Sequence, residues 1–193
     1  PTVTLTASPA TTSKGTAVTL TATATKQSGN AITKVAIEQK KADGSTYTEV
    51  AYVTDGTATV TYTFPASDYG TFDFRAYAVV DNDETNLKGT TDADVTVTVA
   101  FPTPKNSTYT LELYDKSGNQ VFSGISVTGT EVETALGDAL PGKYRSPFVV
   151  RYKYYARQDA AVANSGTEFD WANSDAPTVY VGYEVDATKM AAA

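Results

Sequence analysis

The feature that most constrains this chain is the alternation of apolar and polar side chains over residues 67–80. Apolar side chains recur there at every second position, at Phe72, Phe74, Ala76 and Ala78. This is the period of a β-strand that buries one face. A turn-forming Pro65-Ala66-Ser67 segment precedes the alternation. The stretch therefore predicts a central strand of a sheet that covers a packed core.

The same pattern recurs along the first hundred residues. Alternating runs occupy residues 2–7, 17–24, 32–39, 47–53, 57–64 and 93–99, and turn-forming residues separate them. Together with residues 67–80 they predict about seven strands in about 100 residues, which is the size of a β-sandwich. We therefore expect an all-β chain whose first domain spans residues 1–100. Its predicted core contains Leu20, Ala22, Val35, Ile37, Phe72 and Phe74.

Two of these strands resemble strands of a known family. The run Asp68-x-Gly70-x-Phe72-x-Phe74 resembles the start of strand F of immunoglobulin domains, and residues 19–23 resemble strand B of bacterial immunoglobulin-like repeats. The resemblance implies an immunoglobulin-like sandwich in which Ala22 and Phe74 occupy the positions of the two disulfide cysteines. A small residue facing a large one fills that space, since cores are close-packed. We expect Phe74 to be buried near Ala22.

The second half of the chain predicts a separate, smaller β-rich module. Residues 101–107 contain two prolines and are predicted to be a semi-rigid linker. The module itself is assigned to residues 108–189, as a small sandwich or sheet, and residues 190–193 are interpreted as a tail or cloning scar. Predicted strands cover 109–114, 121–125 with a continuation to 132, 148–157 and 177–185, and a loop or single helical turn covers 134–142. In the third of these strands, alternation places Phe148, Val150, Tyr152 and Tyr154 inward.

This half resembles a module repeated in very large surface proteins of gut anaerobic bacteria. The resemblance rests on Leu140-Pro141-Gly142-Lys143-Tyr144, on residues 179–183 and on the turn at residues 115–119. It implies an extracellular location on the bacterial cell surface. It carries no activity that can be assigned to individual residues.

Composition excludes several classes of function. The chain has no cysteine and no histidine, so it lacks thiolate nucleophiles, thiolate zinc sites and the usual general base at neutral pH. Its net charge of −7 disfavours binding to a phosphate backbone. No apolar run approaches the length of a membrane helix. We therefore expect a non-enzymatic protein, monomeric in isolation, that neither binds nucleic acid nor inserts into a membrane.

An acidic loop follows residues 67–80 and is the candidate metal site. Asp81, Asp83 and Glu84 supply carboxylate oxygens, and Asp92 and Asp94 are predicted to approach from the last strand. Calcium takes six to eight oxygen ligands, so it is the cation that such a loop would bind. The loop departs from an EF-hand, however, because Asn86 stands where that loop needs glycine. We therefore prefer the interpretation of a solvated hairpin loop and no cofactor, with calcium binding as the alternative.

The single tryptophan defines the candidate ligand site. An exposed aromatic ring beside polar side chains is what a sugar-binding platform needs. The predicted site consists of Phe169, Asp170, Trp171, Asn173 and Asp175. The interpretation that we prefer is that Trp171 or Phe169 folds back to cover the sheet edge. A glycosidase pair drawn from Glu168, Asp170 and Asp175 is disfavoured, because neighbours on one loop do not face each other across a cleft.

The sequence therefore predicts a structural or adhesive fragment of a bacterial extracellular surface protein. Its tandem β-domains would act as spacers or as modules that bind a host protein, a cell-surface protein or a glycan. One alternative is a carbohydrate-binding accessory module that uses Trp171. A further alternative is a virion surface or decoration protein, since immunoglobulin-like domains occur there as well.

Overall fold

The chain folds into two compact units, Pro1–Phe101 and Pro102–Ala193. The computed structural model describes residues 1–92, 94–126 and 139–192. The protein is all-β, as predicted, and its first unit is a β-sandwich. Residues 102–107 of the predicted linker belong to the second unit. Within it, the Lys105 backbone N–H donates to the Trp171 carbonyl at 2.8 Å and the Asn106 N–H donates to the Tyr109 hydroxyl at 3.0 Å.

The first unit contains two sheets. The smaller sheet has the antiparallel strand order β1-β3-β6, and the larger has the order β2-β9-β7-β4-β5 with β8 paired to β7. The strands are β1 Thr2–Ser8, β2 Thr11–Ser13, β3 Val18–Thr25, β4 Ile32–Lys41, β5 Thr48–Val53, β6 Thr59–Phe64, β7 Gly70–Val80, β8 Lys88–Thr90 and β9 Val95–Ala100. The sequence did not predict β2 and β8, because three residues are too few to show a period.

The core of the first unit lies between these two sheets. All six predicted core residues belong to it: Leu20, Ala22, Val35, Ile37 and Phe74 have no exposed surface, and Phe72 is 4% exposed. The Phe64 ring of β6 packs against both phenylalanines of β7, with centroid distances of 4.9 Å to Phe72 and 5.3 Å to Phe74. Aromatic side chains thus fill the space between the sheets.

The second unit contains one four-stranded sheet in the described residues. Its order is β11-β10-β13-β12, and the first and last strands, β10 and β13, pair in parallel at its centre. The bounds are β10 Tyr109–Tyr114, β11 Gln120–Ser126, β12 Val149–Tyr155 and β13 Thr178–Val185, with a 3-10 turn at Gly142–Tyr144 and helices α1 Gln158–Ala163 and α2 Ala187–Ala192. The predicted continuation of a strand through residues 127–132 and most of the predicted 134–142 loop lie outside the described residues.

A β-bulge changes which side chains of β12 face the core. Val149 pairs with Val185, but Arg151 pairs with Glu184, so Val150 is the extra residue. As a result Val149 is 7% exposed and Val150 is 50% exposed, and the predicted inward position of Val150 is wrong. An extra residue in one strand shifts the alternation by one position, which is why a strict period of two fails here.

Helix α1 covers the other face of this sheet, on which Tyr155 lies. Tyr155 of β12 is 1% exposed, and its hydroxyl donates to Asn164 Oδ1 at 2.9 Å just after the helix. Gly182 of β13 permits this packing, since a Cβ atom there would lie 2.5 Å from the same Oδ1. The sequence missed the helix because its six residues span fewer than two turns.

The position of Phe74 makes a first testable prediction. Phe74→Ala removes a fully buried ring from between the two sheets, and such truncations cost about 3–5 kcal/mol. We expect the free energy of unfolding of the first unit to fall by this amount. Urea denaturation followed by NMR signals from residues 1–101 would measure it apart from the second unit.

Tyr52→Ala is the matched control, because this tyrosine of the same unit is 59% exposed. Its truncation should change the free energy of unfolding by no more than about 0.5 kcal/mol. Equal losses in the two variants would contradict the strand register of β7.

Candidate binding sites

Trp171, the centre of the candidate ligand site, lies in the core of the second unit, in agreement with the preferred interpretation that it covers the sheet. Trp171 is 2% exposed and Phe169 is 5% exposed. The indole packs edge-on against Tyr109 at 5.1 Å, Phe169 at 4.9 Å and Tyr154 at 5.4 Å. The ring therefore covers the sheet, and no face of it is open to a sugar.

Local hydrogen bonds explain why these rings point inward. The Phe169 N–H donates to the Tyr154 carbonyl at 2.7 Å, and Glu168 bridges to Tyr155, so this segment runs beside the edge strand β12. In an extended segment alternate side chains face the same side. Phe169 and Trp171 thus share the inner side, and Asp170 between them is exposed.

The polar residues of the predicted ligand site stabilise their own loop. Asp170 accepts hydrogen bonds from the Asn173 backbone N–H at 3.2 Å and from its side-chain amide at 3.1 Å. Asp175 forms an ion pair with Lys105 at 2.8 Å. Asp170 and Asn173 therefore lie together in one turn, whereas Asp175 makes a separate contact with Lys105.

The burial of Trp171 makes a second prediction. It is the only tryptophan of the chain, so its fluorescence reports on the second unit alone. We expect blue-shifted emission that is protected from acrylamide quenching. Trp171→Ala should lower the free energy of unfolding of this unit by about 3–5 kcal/mol, because the ring fills the core. Urea denaturation followed by NMR signals from residues 102–193 would measure the loss.

Ile125→Ala is the matched control in the same unit, since this side chain is 73% exposed. Its effect should stay within about 0.5 kcal/mol. Free access of acrylamide to the native indole would contradict the buried position of Trp171.

Two carboxylates of the acidic loop accept hydrogen bonds from backbone N–H groups. Asp81 accepts from the Asn30 side-chain amide at 2.6 Å and from the Ala31 N–H at 2.8 Å, which joins the end of β7 to the start of β4. Asp83 accepts from the N–H groups of Thr85 and Asn86.

These contacts leave the loop without an assembled cation site. Asp94 does not approach it as predicted, because it accepts a hydrogen bond from the Tyr47 hydroxyl. Among residues 1–92, 94–126 and 139–192, no three acidic side chains lie close enough to hold a metal ion. The candidate set of Asp81, Asp83 and Glu84 is therefore not brought together in this part of the chain.

The hydrogen bonds to the loop carboxylates lower their pKa values. The Asn30 amide and the Ala31 N–H lower the pKa of Asp81 below its usual 3.8, and the Asn86 N–H and amide do the same for Asp83. The native state thus favours the charged forms. The resulting stabilisation of the folded first unit is complete at pH values above the pKa that these carboxyl groups have in the unfolded chain. It is lost as the pH falls through their lower pKa in the native state.

This linkage makes a third prediction. Asp81→Asn should lower the free energy of unfolding of the first unit at neutral pH, and the gap to wild type should shrink below roughly pH 4. Urea denaturation at a series of pH values would measure it. Asp43→Asn, at an exposed position in another turn, controls for the loss of one charge. A gap between wild type and Asp81→Asn that stays constant with pH would contradict the assignment.

The outer face of the larger sheet in the first unit carries a cluster that the sequence did not single out. We call it the tyrosine face. It is formed by β4, β5, β7 and β8 together with Tyr47, which precedes β5, and its side chains are Lys34, Glu38, Lys40, Tyr47, Glu49, Tyr52, Asp73, Arg75, Tyr77 and Lys88. Three ion pairs form on it: Lys34 with Glu49 at 3.0 Å, Arg75 with Glu38 at 2.5 Å and Lys40 with Asp73 at 3.7 Å. The fourth basic group, the Lys88 ammonium, lies 4.2 Å from the Tyr77 ring centroid.

One row across the tyrosine face places two tyrosines on either side of an alanine. Ala36 of β4 pairs with Tyr52 of β5 and with Tyr77 of β7. The two tyrosine Cα atoms are thus about 10 Å apart, twice the strand spacing. Tyr77 is 7% exposed, because it packs with Ala36 and Val79. Tyr52 is 59% exposed and is the only aromatic among the large, exposed apolar side chains of the described residues.

Lys34 lies between the two rings of this row. Its ammonium nitrogen is 5.1 Å from the Tyr52 ring centroid and 5.3 Å from that of Tyr77, which are cation–π distances. Glu49 accepts hydrogen bonds from the Tyr77 hydroxyl at 2.7 Å and pairs with the Lys34 ammonium. Four side chains from three strands are thus held in one arrangement.

The same contacts keep the ion pair charged. Hydrogen bonds with Tyr77 and Glu49 raise the pKa of Lys34. Burial acts to raise the pKa of Glu49, but the hydrogen bonds from Tyr77 and Lys34 outweigh it and lower that pKa. An ammonium donor and a carboxylate acceptor are therefore both present at neutral pH.

The sequence contains a signal for this face. Lys34, Ala36, Glu38 and Lys40 alternate with the predicted core residues of β4, and Tyr77 stands between two core positions of β7. Period-two reasoning assigns them to the outside but does not show that they meet. Their contact depends on which strands become neighbours in the sheet.

Comparisons with known proteins place the chain in no family. No protein-family model and no curated protein matches it. Part of the chain is similar to the superoxide reductase (neelaredoxin) of Archaeoglobus fulgidus, with 9% identity, 51% of this chain and 89% of the other covered, and a TM-score of 0.38. It is also similar to a PKD domain of an M14-like peptidase from a Thermoplasmatales archaeon, with 21% identity, coverage of 52% and 94%, and a TM-score of 0.36. Similarity this distant carries no argument about function.

The described helices give one further finding. None of them is long and apolar enough to cross a membrane.

Proposed function

We propose that this chain is a non-enzymatic, force-resisting segment of an extracellular bacterial surface protein, in which two β units act as spacer and adhesive modules. The proposal rests on the resemblance of both halves to bacterial surface modules and on one feature of the fold. That feature is the parallel pairing of β2 with β9, which we call the terminal clamp.

The terminal clamp lies close to both ends of the first unit. Thr11 pairs with Thr98, Thr12 with Val99 and Ser13 with Ala100. One more hydrogen bond, from the Thr98 N–H to the Ala10 carbonyl at 2.9 Å, extends it. Strand β9 ends at Ala100, one residue before the end of the unit.

Parallel pairing determines how tension would act on these hydrogen bonds. Tension applied at the two chain ends pulls β9 towards its C-terminus. At the other end it is transmitted through β1 and pulls β2 towards its N-terminus. Because the strands run in parallel, the two forces point in opposite directions along one axis. All hydrogen bonds of the clamp then share the load, whereas an antiparallel hairpin pulled at its two ends would open one bond at a time. This geometry suits a spacer that is under tension.

The terminal clamp leads to a fourth prediction, which concerns the full 193-residue chain when it is stretched between its two ends. Thr12→Pro removes a backbone N–H from β2, because proline has none. We expect one of the unfolding events to shift to a markedly lower force, since forced unfolding is governed by the unfolding barrier. Single-molecule force spectroscopy measures it.

Val60→Ala is the control for a general loss of stability. Val60 is 6% exposed in the same core but belongs to the smaller sheet, so its truncation leaves the clamp intact. If Thr12→Pro lowers the unfolding force no more than Val60→Ala does, the clamp is not the mechanical element.

The proposed location has its own test. Trypsin applied to intact cells of the source bacterium should release peptides of the first unit, which contains six lysines and one arginine among residues 1–101. Release only after the cells are lysed would oppose a surface location.

A further inference from the structure

We propose that the tyrosine face binds a neutral saccharide, with Tyr52 stacking on a sugar ring and the Lys34–Glu49 ion pair holding its hydroxyl groups. The inference goes beyond the force-resisting role and does not depend on it. The proposed site lies on β4, β5 and β7, whereas the role in tension rests on β2 and β9.

The first argument is the accessibility of the ring. Tyr52 is on β5, which is the last strand at one end of its sheet. Its cross-strand neighbour is the small Ala36, which has no exposed surface, and Lys34 lies over its ring. More than half of the tyrosine is nevertheless exposed. A flat apolar surface fixed in this way loses little conformational freedom on binding.

The second argument is the polar pair beside the ring. The Lys34 ammonium donates, the Glu49 carboxylate accepts, and their side chains are 23% and 31% exposed, so both remain within reach of a ligand. Hydrogen bonds to charged groups are stronger than those between neutral groups. Vicinal hydroxyls of a sugar both donate and accept, and they match such a pair. The salt bridge and the Tyr77 hydroxyl hold the two groups in place before the ligand arrives.

The third argument is that the tyrosine face does not suit other classes of ligand. The face carries three ion pairs and one further cation, Lys88, and its net charge of +1 is too small to favour a phosphate backbone or another highly charged polymer. A stable protein partner needs an apolar interface core of several hundred Å². Tyr52 is the only large apolar side chain of the described tyrosine face that is exposed, so such a core is absent. A neutral polyol with one apolar ring face fits what remains.

The test uses native gel electrophoresis of the full chain in gels with and without a neutral polysaccharide. The four probes are mixed-linkage β-glucan, xyloglucan, galactomannan and amylopectin. We expect at least one of them to retard the wild-type chain. Tyr52→Ala should weaken the association about tenfold or more, as truncation of a central aromatic contact does. Tyr52→Leu should lose it as well, because leucine has no flat ring, and Tyr52→Phe should retain it.

Two further variants test the ion pair. Lys34→Met keeps the aliphatic stem and Glu49→Gln keeps the shape, and each should weaken binding several-fold. Thr61→Ala, at an exposed position on the smaller sheet of the same unit, is the control and should bind as wild type does.

Three results would overturn the proposal. These are migration of the wild-type chain as in the blank gel with all four probes, retardation of Tyr52→Ala equal to wild type, and full binding by both Lys34→Met and Glu49→Gln. Tyr52 is exposed, so its variants should fold, and NMR spectra would verify this. Absence of saccharide binding would not contradict the mechanical role of the terminal clamp. A weak clamp in the force measurement would not contradict saccharide binding.

Discussion

The pairing of β4 with β7 is the constraint on which the first unit depends. Its register runs from Ile32 opposite Val80 to Lys41 opposite Phe72. This register determines the residues on both faces of the sheet, because successive side chains of a strand point to opposite faces. Ile37 enters the core on one side, and Ala36 meets Tyr77 on the other. A slip by one residue would exchange core and surface along the whole pair.

The two roles proposed for the first unit use different parts of one sheet. The terminal clamp lies at one end of the strand order, where β2 meets β9, and Tyr52 lies at the other end, on β5. Strands β7 and β4 stand between them and are buried on their inner face. Tension on the clamp therefore does not act directly on the hydrogen bonds of β5. The two proposed roles therefore do not depend on the same strands.

The value of sequence reasoning differed between the two units. In the first unit the alternation runs without interruption through β7, and the six predicted core residues lie between the sheets. In the second unit the bulge at Val150 and the short helix α1 both break the period of two. Trp171 shows a further limit, since the neighbours of a lone aromatic in a polar loop do not reveal whether it faces solvent or sheet. Its contacts with Tyr109 and Tyr154 come from distant parts of the chain.

The sequence by itself determined the fold class, because the period of two and the turn residues act over short distances. It also determined which side chains of β4 and β7 face the core. Only the tertiary structure decided which strands are neighbours, and with them the parallel clamp of β2 with β9 and the row of Tyr52, Ala36 and Tyr77. The physical reason is that strand order depends on contacts between residues far apart in the chain, and no local pattern records them.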